Sequence, residues 1–68
     1  MNIYRVPVPH PSKIAKVTTM RYAGGWLGAV TVWDNKGRLD LNAGGVTEVE
    51  AKEAIVSLLN ETLKRLYQ

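Results

Sequence analysis

The stretch Gly44-Gly45-Val46-Thr47-Glu48-Val49-Glu50-Ala51-Lys52 divides this chain into a sheet-forming part and a helix. Thr47 and Glu50 have the spacing of a capping box. The threonine hydroxyl is placed to accept the backbone N–H of Glu50, and the glutamate to reach back to the N–H of Thr47. Before this point residues alternate as strands do. After it Ala51, Ile55, Leu58, Leu59, Thr62, Leu63 and Leu66 form one stripe, which predicts a helix over about 48–66.

Working back from the cap, period-two patterns give three strands. Lys16 to Tyr22 is the first, Trp26 to Trp33 the second and Arg38 to Asn42 the third. Gly24-Gly25 is expected to turn the first hairpin. Asp34-Asn35-Lys36-Gly37 turns the second, with Gly37 in the left-handed region. That turn sets Val32 opposite Leu39 and Val30 opposite Leu41, on one face with Trp26 and Gly28. Leu27, Ala29, Thr31, Trp33, Arg38, Asp40 and Asn42 share the other. The register of the first strand has two solutions. A two-residue Gly24-Gly25 turn directs Arg21 to the core side, whereas a three-residue turn that includes Ala23 puts Met20 and Tyr22 inside and Arg21 outside. The second is preferred, because an unpaired buried arginine is costly.

The expected fold is therefore α+β: a three-stranded antiparallel sheet packed on one face by a single C-terminal helix. Residues 13–68 form this β-β-β-α domain. Residues 1–12, with Pro7, Pro9 and Pro11 at alternate positions, read as an extended Pro-rich arm. One helix covers one sheet face. The second face, which carries Trp33, is either open to a partner or covered by the arm folding back.

At 68 residues the chain has room for one domain with a small core. It has no cysteine, so neither a disulfide nor a thiolate metal site supports it, and a reducing, cytoplasmic setting fits. No apolar run approaches the ~18 residues that suggest a membrane span, and the first residues lack the apolar core of a signal peptide. Residues 1–45 hold six basic groups against two acidic ones, a balance of +4. Residues 46–68 hold three against four, a balance of −1. The sheet half thus favours a polyanionic partner.

Catalysis needs convergent groups with tuned acidities, and the sequence offers none. His10 sits between two prolines of the arm. Ser12 and Ser57 have no histidine–acid partners. Glu48, Glu50 and Glu53 are accounted for by the positive end of the helix dipole. Neither glycine pair extends to a phosphate-binding motif, and Asp34-Asn35-Lys36-Gly37 lacks the ligand series of a calcium loop. No enzyme activity, cofactor or metal is expected.

Three segments together carry a family pattern: Gly25-Trp26-Leu27-Gly28-Ala29-Val30, Asp34-Asn35-Lys36-Gly37-Arg38 and Gly45-Val46-Thr47-Glu48-Val49-Glu50-Ala51. They resemble the amino-terminal arm-binding domain of phage tyrosine integrases and the plant ethylene-response-factor DNA-binding domain. The resemblance spans about residues 17–63. It implies that the uncovered sheet face enters the major groove of double-stranded DNA. On this sequence the implied contacts are Arg21, Leu27, Thr31, Trp33, Arg38 and Asn42, with Lys36 at the turn. Arginine reads guanine, asparagine reads adenine, and lysine contacts phosphate. The chain departs from the pattern at Leu27 and Ala29, where the family usually has arginine or lysine, and at Asp40. The alternative expectation is a protein-interaction module using the Trp33 face: a homodimer, an adapter or a small inhibitor, such as a phage accessory protein.

Overall fold

The computed structural model describes residues 2–7, 14–34 and 37–66. The helix, α1, runs Glu48–Leu66, as the sequence predicts. Thr47 caps it: its Oγ1 accepts the Glu50 N–H at 3.2 Å. The hydroxyl also donates to the Glu50 carboxylate at 3.4 Å, so this carboxylate takes up the capping hydroxyl. Glu48 and Glu50 lie in the first turn and Lys64 and Arg65 in the last, each with the favourable sign for the helix dipole.

The sheet has four strands among the described residues, not the expected three. They are β1 (Asn2–Pro7), β2 (Ile14–Tyr22), β3 (Gly25–Asp34) and β4 (Gly37–Gly45), all antiparallel in the order β1-β2-β3-β4. The added strand is the first part of the expected arm. Its six residues pair with β2 from Asn2↔Thr19 to Pro7↔Ile14. This is physically reasonable because β1 is an edge strand and its proline is terminal, where a missing backbone donor interrupts no central ladder. Residues 2–7 therefore extend the sheet sideways instead of lying across its open face. Pro9, His10 and Pro11 fall outside the described residues.

The preferred register of the β2–β3 hairpin is also overturned. The turn residues are Ala23 and Gly24, with φ of 48° and 82°. Positive φ at both positions gives a two-residue turn whose twist matches the strands. Gly25 belongs to β3, where a Cβ would lie 2.8 Å from the Gly45 carbonyl oxygen of the neighbouring strand. The register becomes Arg21↔Trp26, Thr19↔Gly28 and Val17↔Val30. Ala15, Val17 and Thr19 are buried beneath the helix, while Met20 and Tyr22 are 37% and 63% exposed. Arg21 shares the helix side without the expected penalty, because it lies near the end of the sheet and is exposed. Its guanidinium sits 5.9 Å from the centre of the Trp26 ring.

The β3–β4 register agrees with the sequence pattern: Val30 pairs with Leu41 and Val32 with Leu39. The core joins Ala15, Val17, Val30 and Val32 to Ile55, Leu59 and Leu63, with Tyr4, Val6, Leu39, Leu41 and Ala43 packed at its margin. Each large aliphatic side chain buried here contributes roughly 1.5–3 kcal/mol gross. The helix comes close to the middle of the sheet at Gly28, where a Cβ would stand 2.8 Å from the Ala51 carbonyl oxygen and 2.9 Å from Ile55 Cγ2.

Candidate functional site

Strand alternation and the observed register place Ile3, Arg5, Lys16, Thr18, Met20, Tyr22, Leu27, Ala29, Thr31, Arg38, Asp40 and Asn42 on the face away from α1. Among the described residues no element covers this face; α1 contacts the opposite one.

The face has two parts. Ile3, Met20, Tyr22 and Leu27 give its β2–β3 turn end an apolar character, with Ile3 56% exposed. Toward the other end the residues are polar and basic. Arg5 stands directly opposite Lys16, and both are exposed. Like charges in direct cross-strand register repel. Lys16, Thr18, Ala29 and Thr31 line a shallow depression of about 190 Å³. At β4 the Thr31 hydroxyl donates to Asp40 Oδ1 at 2.6 Å, and Arg38 Nε is 2.8 Å from Asp40 Oδ2. These contacts, the Thr31 hydrogen bond first, hold the Asp40 carboxyl below the usual carboxylate range. The described charged residues of this face are thus three basic and one acidic, and the acidic one fixes a basic neighbour.

The residues expected from sequence separate into four cases. Leu27, Thr31, Arg38 and Asn42 lie together on the open face. Trp33 occupies the register position opposite Arg38. Arg21 is on the helix side, contrary to the preferred register, because the turn is two residues long. Lys36 lies outside the described residues. Arg5, Lys16 and Thr18 were missing from the expected set. The alternation of Ile3 and Arg5 with Tyr4 and Val6 is the signal for Arg5, while Lys16 and Thr18 follow from the two-residue β2–β3 turn.

A second polar cluster ties β1 to the helix start. The Glu48 carboxylate accepts hydrogen bonds from Asn2 Nδ2, from Thr19 Oγ1 at 2.8 Å and from the Tyr4 hydroxyl. The Asn2 and Thr19 bonds are the main reason its pKa is lowered. The Tyr4 hydroxyl is pushed up by burial, with the Glu48 hydrogen bond and charge adding to it. Lys52 Nζ stands 4.2 Å from the centre of the Tyr4 ring. Beside this cluster an open groove of about 690 Å³ runs between β1 and α1, lined by Tyr4, Val6, Val49, Lys52 and Val56 among others. Every partner here is satisfied within the chain, so the cluster is a fastening for β1.

Among the described residues there is no group of three or more His, Asp or Glu side chains able to hold a metal ion, and no helix long and apolar enough to cross a membrane. Comparison with protein-family models, curated proteins and solved structures finds no match to the chain.

Proposed function

We propose that the protein is a non-enzymatic binding protein that holds double-stranded DNA against the uncovered sheet face. The observation that carries this reading is the Arg5–Lys16 pair. Two exposed cations in direct register repel each other, and a phosphate lying between them relieves that repulsion. Thr18, Thr31 and Asn42 add hydrogen-bonding groups to the same surface. Asp40 limits the positions Arg38 can take, which suits an arginine that reads a base edge. The likeness to the integrase arm-binding and ethylene-response-factor domains supports the same face, with β1 as an addition to their three strands.

A titration of labelled random-sequence duplex, read by fluorescence anisotropy, tests the proposal. Affinity should fall with salt at about 0.9 in log–log slope per phosphate contact. Arg5→Ala combined with Lys16→Ala should lower both affinity and slope. Absence of binding at low salt rejects it.

A protein partner is the second reading, favoured by the exposed Ile3, Met20 and Tyr22 at one end of the face. Met20→Lys would then abolish partner binding, whereas it would strengthen or spare a complex with DNA.

A further inference from the structure

We propose that the outer edge of β4 is a self-association surface, on which β4 of a second copy pairs antiparallel about Leu41. Nine residues of β4 pair without interruption to β3, and among the described residues no strand or backbone hydrogen bond covers the other edge. An edge this long is a template for another strand unless something blunts it. The opposite edge, β1, is blunted: it has six residues, ends in Pro7 and carries Arg5. β4 has no proline and no bulge. Its two charges, Arg38 and Asp40, are paired with each other.

The partner that fits is a second copy, because the strand is complementary to itself. Leu41 is the midpoint of Gly37–Gly45. Two-fold pairing about it engages the whole strand and keeps every side chain on its own face. It sets Arg38 opposite Gly44, Leu39 opposite Ala43, Asp40 opposite Asn42 and Leu41 opposite itself. No like charges meet, the carboxylate faces an amide donor, and the long arginine crosses a glycine. Centring the pair on Asp40 would bring the two carboxylates together. Centring on Leu39 or Asn42 would engage fewer residues. On the helix side, Leu39, Leu41 and Ala43 are only half-buried at this edge. Leu58 and Ala54 lie on the flank of α1 away from the β1 groove, also half-buried. The two-fold axis would turn these flanks toward each other above a continuous eight-stranded sheet. The uncovered face would double in width.

Sedimentation velocity over a range of concentrations tests this without any nucleic acid, so the outcome is separate from that of DNA binding. The chain should dimerise. Asn42→Asp places a second carboxylate opposite Asp40 twice per dimer and should raise the dissociation constant about tenfold. Asn42→Lys should lower it. Asn42 is exposed, and circular dichroism checks that both variants fold as the parent does. A chain that stays monomeric up to millimolar concentration overturns the proposal. So does a dimer whose dissociation constant ignores both substitutions.

Discussion

Thr19, fully buried in the second strand, donates to the carboxylate of Glu48 in the first turn of the helix at 2.8 Å. The same carboxylate accepts from Asn2 and Tyr4 of the edge strand. One acidic side chain at the start of the helix thus ties together the neighbouring strands β1 and β2, and it explains how a short edge strand is retained. Replacing Thr19 with valine keeps the shape and removes the donor. It should destabilise the fold by about 1–2 kcal/mol, measured by urea unfolding.

The lowered pKa of Glu48 makes this fastening sensitive to acid. A carboxyl with a lowered native value contributes stability that is complete above the unfolded value of about 4.5. That contribution is lost as pH falls through the lowered native value. Thermal midpoints recorded from pH 7 downward should therefore drop below this range, and Glu48→Gln should make the drop shallower. Asp40, shifted in the same direction by Thr31 and Arg38, accounts for part of the remaining slope.

Tyr4 provides the opposite limb. Its raised value means that the fold favours the neutral phenol, so its contribution is complete below the ordinary value of 10.0 and is lost as pH rises through the raised one. Tyr4→Phe should flatten stability against pH in the alkaline range, while leaving the acid limb largely in place.

Gly28 marks a close approach of helix and sheet. A methyl group there meets the Ala51 carbonyl and the Ile55 side chain below 3.0 Å. Gly28→Ala should cost about 1–3 kcal/mol, because the obstacle includes backbone that cannot swing aside. Thr47→Ala should cost about 1 kcal/mol through loss of the helix cap. Unfolding curves that place Gly28→Ala below Thr47→Ala in cost would contradict this packing.

The two faces of the sheet predict different consequences for its arginines and lysines. Arg21→Ala should leave duplex binding nearly unchanged, since the guanidinium is on the helix side beside Trp26. Lys16→Ala should weaken binding and reduce the salt slope by about one contact. Anisotropy titrations of the two variants in parallel make the comparison.

The sequence was most legible where a local signal coincided with a tertiary one. The capping residues and the 3.6-residue stripe mark α1 at both ends, and the Asp34–Gly37 turn sets the β3–β4 register. It was misleading where a local signal dominated the reading. Three alternate prolines drew attention away from Asn2–Val6, whose alternation fits an edge strand. Ala23 takes a positive φ that is uncommon for alanine, and the cost of burying Arg21 favours a three-residue turn from Ala23 to Gly25, which shifts β2 by one residue from its observed register. That slip exchanged the faces of the whole strand. The helix side of the sheet does not by itself bury Arg21. Its position near the strand end leaves it exposed instead. The expected site accordingly draws on β3, β4 and Arg21 of β2, whereas Lys16 and Thr18 reach the open face through the observed β2 register and Arg5 through the pairing of β1.

The most direct test of the open face as the DNA site is a backbone amide NMR titration with a short duplex at low salt. The account predicts that shifts concentrate at Arg5, Lys16, Thr18, Ala29, Thr31 and Asn42, and that Val49, Lys52 and Val56 on the helix stay where they are. Shifts confined to the helix and its groove, or none at all, would contradict it.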